Sequence, residues 1–119
     1  MTEKNQNLAN TVSNEQVANN TKTPTWLTYN DNGTPSINYT QLAESIANRN
    51  ILFYNENNPN GAYYNGVFWQ RYTSSRGLPI KMKSLVFNEL NQYKLSTFNR
   101  IKYGVAELQN VLASKYADI

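Results

Sequence analysis

The chain contains no cysteine and no histidine. Without thiols there are no disulfides, no Cys-ligated zinc or iron–sulfur centre and no thiol nucleophile. Without imidazole there is no Ser-His-Asp triad and no His-ligated metal. Charge is also scarce. Charged residues make up 16% of the 119 positions, against about 25% in an average globular chain. Apolar residues, at 39%, also fall short of the usual range of about 45–50%. No run approaches the roughly 18 apolar residues that span a bilayer, and residues 1–22 hold no apolar core of a signal peptide. These absences lead to the expectation of a soluble, cytoplasmic protein with no membrane partner. The length fits one domain.

Uncharged polar side chains fill the gap, above all 20 asparagines. Aromatic residues are plentiful: nine Tyr, four Phe and two Trp, enough to anchor a small core. The net charge is +3, but it is unevenly spread. Residues 66–102 carry Arg71, Arg76, Lys81, Lys83, Lys94, Arg100 and Lys102 against Glu89 alone, a local net of +6. Such a block is the kind of footprint a phosphate backbone attracts. The plainer reading is solvated helix surface.

Residues 1–24 contain Leu8, Val12 and Val17 but no aromatic residue. They bury too little apolar area to offset ordering entropy, so a flexible leader is expected, followed by a single α+β domain over 25–119. Trp26, Leu27 and Tyr29 form a short apolar anchor. Asn30-Asp31-Asn32-Gly33 is turn chemistry, and Pro35 is expected to block regular pairing. Asn38 suits a helix N-cap, with Gln41 in capping-box position. Leu42 and Ile46 set the stripe of a helix to about Asn48.

A three-stranded antiparallel meander is expected next, with strands at 51–54, 62–64 and 67–72. Residues 55–61 read as a turn cluster, and Asn65-Gly66 reads as a type I′ hairpin turn. Alternation sends Phe68, Gln70 and Tyr72 to one face and Val67, Trp69 and Arg71 to the other. One face covers the core; the other could stack bases while Arg71 meets phosphate, as single-strand binders do. For Trp69, packing in the core is the first reading and contact with nucleic acid or protein the alternative.

Two amphipathic helices follow. The first starts near Pro79 and runs to about Tyr93, with Met82, Leu85, Val86, Leu90 and Tyr93 on one face. The second, capped by Ser96 or Thr97, runs to about Tyr116 on Ile101, Val105, Leu108 and Leu112, with Phe98 broadening the stripe. Gly104 inside it costs about 1 kcal/mol relative to Ala and suggests close packing of another element.

Catalytic chemistry finds no support. There is no phosphate-loop or dinucleotide fingerprint. Glu44, Glu89 and Glu107 lie on helices with no spacing that pairs them. No enzyme activity and no cofactor or metal is expected. What remains is binding: Arg71, Arg76, Lys81, Lys83, Lys94, Arg100 and Lys102 toward DNA, and Trp26, Tyr29, Trp69 and Tyr72 toward a protein. The DNA reading rests on the cations forming one continuous positive surface.

Residues 26–113 resemble the module that precedes the superfamily-three helicase in poxvirus-type primase-helicases of phages, plasmids and mobile elements. Ser36-Ile37-Asn38, Leu42-Ala43-Glu44, Tyr64-Asn65-Gly66-Val67-Phe68-Trp69 and Val105-Ala106-Glu107-Leu108 carry the resemblance. It implies an accessory role in DNA replication. The partners implied are DNA and a replicative helicase domain or a host replication protein. In that family the helicase moiety hydrolyses ATP, and this sequence has no Walker motif.

Overall fold

The computed structural model describes residues 23–119. The expected leader lies outside the described residues, except for Thr23 and Pro24. The chain divides after Ser36 into two units, which are taken separately.

Strands β1 (Leu27–Tyr29) and β2 (Pro35–Ile37, whose last residue opens the second unit) pair as a two-stranded sheet. This corrects the expectation that Pro35 blocks pairing. Proline lacks only its own N–H, and at the first residue of a strand that loss is tolerated. Asn30 closes the turn: its Oδ1 accepts from Asn32 N–H at 3.2 Å and Thr34 N–H at 2.8 Å. Trp26 and Leu27 are buried, and Tyr29 is exposed.

The second unit is α+β. Its order is α1 (Tyr39–Ala47), β3 (Leu52–Asn55), β4 (Asn58–Tyr64), β5 (Trp69–Arg71), α2 (Gly77–Asn91) and α3 (Phe98–Lys115). Helix α1 starts as the sequence implies: Asn38 is extended and its Oδ1 accepts from Gln41 N–H at 3.0 Å. Its far end is held by Lys115, whose Nζ donates to Ala47 O at 3.0 Å and Asn50 Oδ1 at 2.8 Å. A cation at a helix C-terminus also complements the macrodipole.

Helix α1 buries Leu42, Ala43, Ile46 and Ala47, α2 buries Leu78, Met82, Val86 and Leu90, and α3 buries Gly104, Leu108 and Leu112. Gly104 is the contact point. A Cβ placed there would sit 2.6 Å from Val86 Cγ1, inside any ordinary contact, and at a normal 3.5 Å from Leu42 Cδ2, so the missing side chain is what lets α3 approach α2. Phe98 departs from expectation. It is 74% exposed, because as the first residue of α3 it precedes the turns that meet the core.

The meander is present, ordered β3-β4-β5 with antiparallel pairs, but its turns differ from expectation. Glu56 and Asn57 alone connect Asn55 to its partner Asn58, so β4 runs through Asn58-Pro59-Asn60-Gly61. Pro59 is tolerated because β5 pairs only with residues 62–64 of β4. Ahead of them the strand is locally an edge, where a missing N–H is harmless. At the other end, Tyr64 pairs with Trp69, which leaves a four-residue loop and not a type I′ turn. Asn65 Oδ1 accepts from Val67 N–H at 2.9 Å and Phe68 N–H at 3.0 Å. This local Asx geometry leaves Gly66, at φ +101°, as the one loop residue with positive φ.

Among the described residues, Asn55 is the buried polar residue of the core. Its Nδ2 donates to Tyr116 O at 2.8 Å, and its Oδ1 accepts from Asn58 Nδ2 at 2.9 Å. It ties the end of α3 to the sheet.

Candidate functional site

The register divides the side chains of the meander into two sets. Leu52, Tyr63, Gln70 and Tyr72 share one face, and it is the face turned to the helices. Leu52 is buried there, Tyr63 Oη donates to Gln70 Oε1, and the Tyr63 and Tyr72 rings lie 4.7 Å apart. Tyr72 also lies against Gly77 at the start of α2. Burial pushes its phenol above the ordinary tyrosine range, and the neighbouring Tyr63 adds to the rise. Tyr72, expected to touch a partner, is therefore half-buried in internal packing.

Phe53, Ala62, Tyr64, Trp69 and Arg71 share the opposite face. Trp69 is 45% exposed, which corrects its expected place in the core. It leans on Tyr64 with ring centroids 5.7 Å apart. Beside it lies a basin of about 350 Å³ lined by Phe53, Ala62, Trp69, Gln70, Arg71 and Tyr116. Phe53 and Tyr116 form its far wall, with centroids 4.7 Å apart. Ala62 is the small floor that leaves the space. Arg71, exposed, also borders a neighbouring hollow of about 240 Å³ along residues 57–62. The result is an open, aromatic-walled depression with a guanidinium at its edge. Flat apolar groups can stack in it, and an anion can be held beside them.

Phe53 and Tyr116 were not singled out in the sequence. Phe53 carries a signal in hindsight, since it alternates with the core residue Leu52. Tyr116 carries none, because the basin receives it from the end of α3, far from the strand residues in sequence.

The expected cations do not form one surface. Arg71 sits on β5, Arg76 at the start of α2, and Lys94 in the α2–α3 connection at φ +59°. Residues two apart on a helix point about 160° away from each other. Lys81 therefore diverges from Lys83, and Arg100 from Lys102. Arg100 lies on the α1 side of α3, close enough to Tyr39 to oppose electrostatically the upward shift that burial gives that phenol. Lys83 and Lys102 both line a groove between α2 and α3. Glu89, the acid of the basic block, pairs with Arg49 in the one ion pair among the described residues. Of the residues expected to touch a protein, Trp26 is buried and offers no surface, whereas Tyr29 and Trp69 are exposed.

The helical carboxylates are separately occupied. Glu89 holds Arg49, Glu107 accepts from Thr40 Oγ1 at 3.0 Å, and Glu44 faces solvent. Among the described residues no group of three or more acidic side chains could hold a metal ion, and no helix is long and apolar enough to cross a membrane. No protein-family model, curated protein or solved structure matches this chain.

Proposed function

We propose that the chain is a non-catalytic accessory module of a phage or mobile-element DNA replication protein, acting in the cytoplasm, that contacts single-stranded DNA and orients a helicase beside it. The continuous positive surface on which the DNA reading first rested is not formed, so the DNA half rests instead on Trp69 and Arg71, two positions apart on the outward face of β5 at the rim of an aromatic-walled basin. A base ring stacks on Trp69 or against the Phe53 and Tyr116 wall, and Arg71 meets the adjoining phosphate. Aromatic stacking of this kind contributes roughly 1–3 kcal/mol per base and tolerates any sequence. The helicase half rests on the resemblance described above.

Fluorescence anisotropy with a labelled oligothymidylate at low salt tests the DNA half. Because the cations diverge, few of them engage at once. The expected slope of log K against log salt is shallow, about −1 to −2, at roughly −0.7 per neutralised phosphate. Duplex DNA, whose bases are not free to stack, binds more weakly. Absence of binding at low salt rejects the DNA half, and a slope near −5, which would need all seven cations, rejects this face as its site.

A second reading, a small phage-type adaptor or inhibitor that binds a partner protein, is favoured by the hairpin loop. Val67 is 78% and Phe68 55% exposed beside Tyr64 and Trp69. Clustered exposed aromatics are typical anchors of protein interfaces. In that case complex formation is indifferent to salt and is abolished by Phe68→Ala.

A further inference from the structure

The α2–α3 groove lies outside the sheet face and shares no lining residue with its basin. Pro79, Phe98, Ile101 and Val105 line it, with Lys83 and Lys102 at its sides, and it encloses about 400 Å³. The apolar surface continues along α2. Ile80 and Phe87 are 67% and 41% exposed, and with Pro79 and Lys83 they fall within about 100° of one another around the helix.

This face is not explained by packing. Helix α2 buries Leu78, Met82, Val86 and Leu90 on an adjoining stripe whose centre lies about 90° round the helix, and Phe98 touches the core so little that it is 74% exposed. The groove is apolar at its centre and positive at its sides. No carboxylate lines it, and Glu89 of α2 is engaged with Arg49.

We propose that the groove between α2 and α3 is a docking site for an acidic amphipathic helix of a partner protein. An apolar channel between two helices accepts the apolar stripe of a third, read as anchors at i, i+3 or i+4, and i+7. Lys83 and Lys102 select carboxylates flanking that stripe and reject a basic helix. A nucleic-acid backbone fits less well, because it has phosphates for the two lysines but nothing apolar to fill the space between Phe98, Ile101 and Val105. The site stands independently of the proposed DNA contact and would remain if that reading failed.

The probe is a fluorescent synthetic helix of about 14 residues, or four turns, with a Leu stripe flanked by Glu. A second peptide carries Lys at every Glu position. Both are titrated by anisotropy against the full chain, with an oligothymidylate as competitor. Saturable binding of the acidic peptide is expected, at least about tenfold tighter than that of the basic one. Phe98→Ala is expected to weaken it at least about tenfold, with the circular dichroism spectrum unchanged because this ring is exposed. Lys83→Glu with Lys102→Glu is expected to reverse the preference between the peptides. The proposal is overturned if the acidic peptide does not bind, if the two peptides bind alike, or if Phe98→Ala has no effect. It is also overturned if the oligothymidylate displaces the peptide. A concentration-dependent dimer that Phe98→Glu dissolves assigns the groove to a second copy of the chain and overturns it as well.

Discussion

A single methyl group at position 104 is expected to destabilise the fold, although helix propensity alone argues the reverse. Replacing a mid-helix glycine by alanine gains about 1 kcal/mol of propensity. In this structure the new Cβ would lie 2.6 Å from Val86 Cγ1, about 1 Å inside the ordinary carbon–carbon contact of about 3.5–4.0 Å. Val86 cannot turn away, since it is fully buried and a β-branched side chain in a helix has essentially one χ1 state. Helices α2 and α3 must separate instead, and overpacking of this kind costs about 1–3 kcal/mol. The net expectation for Gly104→Ala is a loss of about 1 kcal/mol, or a few degrees in Tm for a chain of this size. Urea unfolding followed by circular dichroism reads it, and a double-mutant cycle with Val86→Ala isolates the cause. Val86→Ala leaves a cavity in the wild-type background but makes room for the methyl group in Gly104→Ala, so the two changes together cost at least about 1 kcal/mol less than their sum. A stabilised Gly104→Ala, or strict additivity, refutes the close approach of α3 to α2.

Three further outcomes follow from the same contacts. Asn38→Ala removes the N-cap of α1 and is expected to cost about 1 kcal/mol in urea unfolding, with Asn38→Asp retaining the cap. Asn55→Ala leaves Asn58 Nδ2 without its acceptor and Tyr116 O with the Ile119 N–H alone and is expected to cost about 1–2 kcal/mol; hydrogen exchange should show the last turn of α3 opening first. Burial raises the phenols of Tyr39 and Tyr72 above their ordinary value of 10.0, so above that pH the unfolded state has lost protons that the folded state still holds. The stability these two groups contribute is complete below pH 10 and falls as pH climbs through the folded values. Tyr39→Phe with Tyr72→Phe flattens that alkaline limb in thermal melts at stepped pH.

The helices were legible because their information is local. Leu42 and Ile46, or Leu108 and Leu112, repeat at helical spacing, and Asn38 announces the cap. The existence of the meander was legible too, but its register was not. Asn58-Pro59-Asn60-Gly61 carries strong turn propensity, and only the partner strand makes it extended. Asn65 resolves its loop through side-chain hydrogen bonds that a dipeptide rule does not contain. Alternation separated Trp69 from Gln70, yet which set faced outward depended on where the helices packed. The same limit applies to charge. A count of seven cations in one block says nothing of direction, and two-residue spacing on a helix sends Lys81 and Lys83 to different flanks. Lys83 and Lys102 come to line one groove through a packing of helices that sequence spacing does not reveal.

Trp69 fluorescence during an oligothymidylate titration reads base stacking on β5 itself. The chain has two tryptophans. Trp26 is buried and Trp69 is half-exposed, so quenching by a stacked base reports on Trp69. Saturable quenching is expected, lost in Trp69→Phe and weakened in Arg71→Ala. An oligonucleotide that binds by anisotropy yet leaves the fluorescence unchanged, or quenching that persists in Trp69→Phe, contradicts such stacking.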